Sequence, residues 1–177
     1  MLSNFKPSLN KLIDSERGFQ ADPDDKGNKL PDGRAGCTNL GVTQFAWESY
    51  VGHPVTWADM KALTPDTVAP FYKRKYWDMV HGDDLPTGLD YLAFDFAVNA
   101  GPGTAVKLLQ KIIGVVQDGA IGPITLSAIR VIPPKQLIER FSDAKEAYYK
   151  SLKDKKFEDG WINRVHIVEL NALRMVV

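Results

Sequence analysis

The sequence predicts a mostly helical α+β fold with a small β-rich lobe bordering a cleft, and three observations carry that expectation. Apolar residues recur at helical spacing in about eight segments of the chain. Only residues 26–42 combine turn formers with the brevity that a small hairpin or sheet requires. No internal repeat, low-complexity tract or flexible linker interrupts the pattern, so one compact unit over residues 1–177 is expected. Within it, residues 1–95 or so carry the candidate chemistry, and about 96–177 form a docked helical part.

The first helix follows from Leu9, Leu12, Ile13 and Glu16 at i, i+3, i+4 and i+7, with Pro7 in its opening turn and Gly18 as its stop. Phe45, Ala46, Trp47, Tyr50 and Val51 predict a short helix over 45–52, ended by Gly52-His53-Pro54. Thr56 caps the next turn. Trp47 and Trp57 are read as core residues, with sugar stacking as the alternative. Thr64-Pro65-Asp66 opens a helix with a capping hydroxyl, proline at the first position and an acid at the positive end of the dipole. It runs through Phe71, Tyr72, Tyr76 and Trp77, and Pro70 should kink it.

Residues 86–100 carry Leu89, Leu92, Ala93, Phe96 and Ala100 at helical spacing and predict the most buried helix. Asp95 and Asn99 share one face, read as a polar pair serving buried backbone groups, with Asn99 reaching the substrate as the alternative. Gly101-Pro102-Gly103 ends that helix and Thr104 starts the next, over 105–113. After Pro133-Pro134 a long helix over 135–155 buries Leu137, Phe141, Ala144, Tyr148 and Leu152 and leaves its basic face in water. The last helix, 161–174, turns Trp161, Val165, Val168 and Leu170 inward.

The 177 residues are 44 % hydrophobic and 25 % charged, enough for a real core, and 22 bases balance 22 acids. A net charge of zero supplies no field for nucleic acid or an anionic membrane, so neither is expected as a partner, and a monomer is the simplest state. Charge is nevertheless uneven: six acids face three bases over 14–32, and seven bases face four acids over 135–156. Cys37 is the single cysteine, which rules out an intrachain disulfide and suits synthesis in a cytoplasm. No apolar run reaches the roughly 18 residues of a membrane span, so no membrane insertion is expected. The start of the chain, with Asn4, Lys6, Ser8, Asn10 and Lys11, lacks the apolar core of a signal peptide. His53, His81 and His166 stand apart, and neither a phosphate loop nor a nucleophile elbow is present; no metal and no cofactor are expected.

The chemistry concentrates where the first helix meets the loop behind it. Glu16 occupies an apolar position in a last helical turn, where partial burial and the negative end of the dipole both favour its protonated form. Such a carboxyl serves as a general acid. Nine residues on, the loop Asp22-Pro23-Asp24-Asp25-Lys26-Gly27 supplies a second carboxylate. One acid and one carboxylate across a gap is the arrangement of glycoside hydrolysis. Asp25 is the choice for the second carboxylate, with Asp22 and Asp24 as rivals; Thr43, or Thr38, is the hydroxyl placed to hold water. A separation of about 6.5–9.5 Å would leave room for water and invert the sugar, whereas about 5–5.5 Å would retain it. A long, polar loop favours inversion.

Glu16-Arg17-Gly18-Phe19, Asp22-Pro23-Asp24-Asp25 and Thr38-Asn39-Leu40-Gly41-Val42-Thr43 stand in an order that resembles glycoside hydrolase family 108. Tyr76-Trp77-Asp78, Gly82-Asp83-Asp84-Leu85-Pro86, Phe94-Asp95-Phe96-Ala97-Val98-Asn99-Ala100-Gly101 and Gly160-Trp161-Ile162-Asn163-Arg164-Val165 extend the likeness over nearly the whole chain. Asp118-Gly119-Ala120-Ile121-Gly122-Pro123 resembles the turn of small peptidoglycan-binding modules. The chain looks like a phage endolysin, which implies a lysozyme-like fold and an N-acetylmuramidase acting on bacterial peptidoglycan. The resemblance implies Glu16 as the catalytic acid. Asp22, Asp24, Asn39, Tyr76 and Asn99 are the candidate substrate-binding residues. It also implies a holin or other release agent, since an enzyme made in the host cytoplasm must reach the wall. Two departures stand out: Arg17 replaces a glycine of the family's Glu-Gly-Gly-aromatic motif, and the loop over 26–37 is longer than the family's connection. Arg17 motivates an alternative, a catalytically silent peptidoglycan-binding or structural protein of the same shape.

Overall fold

Nine α-helices and one two-stranded antiparallel sheet form from the residues that this computed structural model describes, 4–15 and 18–176. They divide into two units, one of Lys6–Lys73, the other beginning at Arg74 and including Asn4 and Phe5.

Helix α1 (Phe5–Ser15), which belongs to the first unit from Lys6 onward, buries Leu9 and Leu12, as their spacing predicts. The sheet is a minimal hairpin, β1 (Thr38–Asn39) against β2 (Val42–Thr43), with Thr38 opposite Thr43 and Asn39 opposite Val42. Leu40 (φ 50°) and Gly41 (φ 75°) form its two-residue turn, and positive φ at both positions matches the right-handed twist of the strands. Leucine is costly there. The buried Tyr72 offsets that cost by donating its hydroxyl to Leu40 O at 2.8 Å.

Thr43 then caps α2 (Gln44–Val51), which ends on Gly52 in the left-handed region. Thr56 and Asp59 form a reciprocal capping box on α3 (Trp57–Lys61), and Thr64 and Thr67 another on α4 (Pro65–Tyr72), where Pro65 takes the first position. The helix expected to run through Trp77 changes its winding at Lys73: the last stretch, Lys73–Trp77, is a π-helix beginning three residues after Pro70. Trp47, Tyr50, Phe71 and Tyr72 meet edge-on or tilted, at 5.4–6.0 Å between rings, as the aromatic core of this unit.

In the second unit, α5 (Leu89–Ala100) is buried continuously from Leu89 to Ala97. It packs against α6 (Pro102–Ile113), α8 (Pro134–Ser151) and α9 (Glu158–Met175), while α7 (Pro123–Arg130) packs on α6. The turn before α7 is pinned by the buried Gln110. Its amide donates to Asp118 Oδ1 at 2.6 Å and Ala120 O at 2.9 Å, and its carbonyl accepts from Gly119 N.

Three expectations are corrected here. Leu152 is 46 % exposed, because α8 stops at Ser151 and Lys153 adopts a left-handed φ of 55°. Leu170 is 50 % exposed: Val165, Val168 and Ala172 share the inward face, and Leu170 stands two residues, about 200°, away from Val168. Lys145, one of the bases of this helix, whose basic face was expected in water, is fully buried. It sits four residues after Phe141, on the same stripe, and a buried acid on α5 receives it.

Candidate active site

The loop behind α1 is folded around two amides. Gln20 pairs with Thr38 through both backbone groups, at 2.9 and 2.8 Å, which ties the loop to β1. Its side-chain nitrogen donates to Asp25 Oδ2 at 2.8 Å. Its carbonyl accepts from Asp22 N at 2.9 Å and from the Asn28 amide at 2.6 Å. Asn28 is buried, and its amide also donates to Asp22 O at 2.9 Å while its oxygen accepts from Thr38 Oγ1 at 3.0 Å. The acid loop is thereby closed into a ring of hydrogen bonds, despite its polar composition and mostly exposed surface.

Within it, Asp25 caps the 3₁₀ turn Lys26–Asn28, and Oδ1 accepts from Gly27 N at 2.8 Å. With Gln20 on the other oxygen, the carboxylate is oriented through both atoms and keeps lone pairs for a water. The methyl of Thr43, not its hydroxyl, borders the same spot: a Cβ built on Gly27 would lie 3.2 Å from both Asp25 Oδ1 and Thr43 Cγ2. The Thr43 hydroxyl accepts from Ala46 N at 3.2 Å as the α2 cap. Asp22 Oδ1 accepts from Asp24 N at 2.9 Å, a local turn that leaves both aspartates exposed.

The stretch over 29–37 is a second small hairpin. Lys29 bridges Ala35, Leu30 N donates to Arg34 O at 3.1 Å, and Gly33 takes φ 85° at its tip. Arg34 locks it to α2. Its guanidinium donates to both Glu48 oxygens, at 3.0 and 2.9 Å, and to Asp32 at 2.7 Å. Arg34 foremost, with the Val55 N–H and the Gln44 amide, holds the Glu48 carboxyl down at about 2. Asp32 is lowered by the Arg34 backbone N–H and side chain. A cavity of about 460 Å³ lies beside this hairpin, lined by Pro23, Asn28, Leu30, Arg34 and Ala35 among others.

The remaining candidates are placed as follows. Glu16 and Arg17 lie outside the described residues. Asn39 is buried and donates its amide to Met60 O at 2.8 Å, fastening β1 to the end of α3. Asp22, Asp24, Asp25, Asn39 and Thr43 thus share the first unit. Tyr76 and Asn99 belong to the second. Tyr76 is half-buried, which raises its phenol; Asn99 is exposed and donates to Asp95 O at 2.7 Å within α5. Among the described residues, no three His, Cys, Asp or Glu side chains gather as a metal site, and no helix is long and apolar enough to cross a membrane.

Sequence reasoning missed Gln20, Asn28 and the Arg34–Glu48 pair. The Pro31-Asp32-Gly33-Arg34 turn signal pointed to the second hairpin. Nothing local marks Asn28 as the one buried amide of its loop.

Comparison with known proteins bears on this arrangement. The family described as Glycosyl hydrolase 108 matches residues 9–101, over half of the chain, and a family described as Predicted Peptidoglycan domain matches residues 104–166. Among solved structures, that of Brucella abortus SagA is 38 % identical, covers 97 % of this chain and 95 % of its own, and superposes with a TM-score of 0.83. None of the curated proteins matches. The fold is the expected mostly α, lysozyme-like α+β fold. The paired matches indicate a glycoside hydrolase of peptidoglycan type.

Proposed function

The chain belongs to the glycosyl hydrolase 108 family, and on that premise we propose that it cleaves the β-1,4 bond between N-acetylmuramic acid and N-acetylglucosamine in bacterial peptidoglycan. Glu16 protonates the leaving oxygen. Asp25 draws a proton from a water that attacks the opposite face of the ring, with Thr43 beside it, and the product is inverted. The observation that supports this assignment is the two-point hold on Asp25, from Gln20 and from Gly27 N–H, which aims one carboxylate out of a loop of three aspartates. Asp22 is spent on its local turn. The enzyme acts as an endolysin: a monomer made in the host cytoplasm, reaching the wall once a holin or similar agent releases it.

The test is hydrolysis of purified peptidoglycan, followed by new reducing ends and product masses. Glu16→Gln keeps the shape and removes the acid. It should lower turnover by at least about 100-fold, the low end of a general acid's contribution, and change stability by less than about 1 kcal/mol. Undiminished activity in that variant would overturn the role of Glu16. Binding without reducing ends in the unaltered protein would favour a silent peptidoglycan-binding protein, the reading that Arg17 beside the acid motivates. Anomers read by NMR within seconds of cleavage decide the stereochemistry; an initial β-anomer would remove Asp25 as a base acting through water.

A further inference from the structure

Of the two tryptophans weighed above, Trp47 is 9 % exposed and packs with Tyr50 and Phe71, as a core residue does. Trp57 is 42 % exposed, yet it is not a loose surface side chain. It opens α3 immediately after the Thr56–Asp59 capping box, so its backbone is set. Its indole Nε1–H donates to Ala35 O at 3.2 Å, which fixes the ring plane. Its ring meets Phe19 edge-to-face, with centroids 6.3 Å apart at 63°. One helical turn along, Lys61 places Nζ 4.7 Å from the centre of the Phe19 ring. Two aromatic rings and one ammonium are thus held together on the surface of the first unit.

Their position matters as much as their order. Ala35, which anchors the indole, also lines the cavity of about 460 Å³ beside the acid loop. Phe19 directly precedes Gln20, whose amide orients Asp25. A pyranose ring has one face of C–H groups, which packs on an aromatic ring while its hydroxyls stay in water. Rings ordered before the ligand arrives bind with less entropic cost than rings that must be ordered by it. The ammonium over Phe19 keeps donors for an anion, because contact with a ring face uses charge and not hydrogen bonds.

We infer that Trp57, braced by Phe19, forms a platform for a sugar ring of the glycan strand, and that Lys61 pairs with a carboxylate carried by that strand. The ligand class rests on the glycosidase reading above; the platform rests on the geometry. Lys61 distinguishes acidic, muramyl-containing glycan from neutral chitin oligosaccharide, which offers the same rings without the charge.

Two experiments test it. In the Glu16→Gln protein, the indole N–H signals are followed by NMR during titration with a soluble disaccharide-repeat glycan prepared from peptidoglycan by amidase, then with chitin tetrasaccharide. The Trp57 signal, assigned by its loss in Trp57→Phe, should shift with saturation, and Lys61→Gln should weaken the acidic glycan about tenfold while leaving the chitin oligosaccharide within about twofold. In the active protein, Trp57→Ala should raise KM for glycan about tenfold with kcat nearly kept, and Trp57→Tyr should recover most of the loss. An unmoved Trp57 signal under glycan that shifts other residues, or an unchanged KM in Trp57→Ala, overturns the platform. Absence of reducing ends from the unaltered enzyme is a separate failure, of the glycosidase reading alone, since the titration needs no turnover.

Discussion

Lys145 Nζ lies 2.5 Å from Asp95 Oδ2 in a region where neither side chain exposes more than 1 % of its surface. Arg164 of α9 reaches the other oxygen at 2.8 Å, so one carboxylate on α5 binds α8 and α9 at once. Burial works against the Asp95 charge, and the two cations facing it prevail, holding its carboxyl below the usual range. A buried pair of this kind is costly to break because the survivor is stranded. Lys145→Met should destabilise the protein by about 3–5 kcal/mol, read from urea unfolding. Lys150→Met, which removes an exposed partner of Glu146, should cost under about 0.5 kcal/mol.

Acid sensitivity should report on the Arg34–Glu48 pair. The folded Glu48 carboxyl titrates at about 2, below its unfolded value of about 4.3. A lowered folded value stabilises the fold fully above the unfolded value, and the gain is lost as pH falls through the folded one. Arg34→Gln removes the largest cause. The gap in melting temperature between this variant and the unaltered protein should therefore be widest above about pH 5 and narrow steadily toward pH 2. A gap that widens on acidification would contradict the assignment.

Asn28 should behave as the keystone of the acid loop. It is 3 % exposed and bonds Asp22 O, the Gln20 carbonyl and Thr38 Oγ1. Asn28→Ala leaves those groups to find water or stay unpaired, at about 1–3 kcal/mol. Amide exchange at Gln20, Gly27 and Gly36 should quicken in this variant, while α5 amides remain as protected as before.

Gln20 both orients Asp25 and helps to hold the loop closed. Gln20→Leu frees Asp25 Oδ2 and takes the acceptor from Asp22 N and the Asn28 amide, at about 1–3 kcal/mol of stability, but leaves the backbone pairing with Thr38 and the Gly27 contact in place. Turnover on peptidoglycan should fall about tenfold or more, because small misplacements of a catalytic group are expensive, with KM less affected. Equal kcat in the variant would show that the amide does not set the carboxylate.

Gln110→Leu should loosen the 118–122 turn without unfolding the second unit. Three hydrogen bonds to Asp118, Gly119 and Ala120 are lost, while the neighbouring α6–α8 core keeps its apolar contacts. A loss of about 1–3 kcal/mol with local rise in exchange at residues 118–120 is expected.

Period and punctuation marked where most of the helices lie, though not the early end of α8 or the π-helical stretch from Lys73. The spacing of Leu9 and Leu12, the capping threonines at 43, 56 and 64, and the glycines at 52 and 101 act within one or two turns of chain, so the local sequence contains their whole cause. The continuous burial of α5 was legible for the same reason: polar positions are too few to leave it a wet face. The resemblance carried the family and hence the chemistry class. Tertiary structure decided which polar residues work on one another. Asp95 finds Lys145 and Arg164 across 50 and 69 residues, and Lys145 reads as surface until α5 is laid against α8. Trp57 reads as a core residue in the sequence, and the structure corrects this: it is 42 % exposed, with its plane set by Ala35 and Phe19, 22 and 38 positions earlier. Asp25 was chosen from sequence over its rivals Asp22 and Asp24, but the donors that hold its carboxylate became visible only when the return of β1 brought Gln20, Asn28 and Thr38 together. Helical periodicity is a property of neighbours along the chain, whereas the aim of a carboxylate depends on donors that only folding brings within 3 Å.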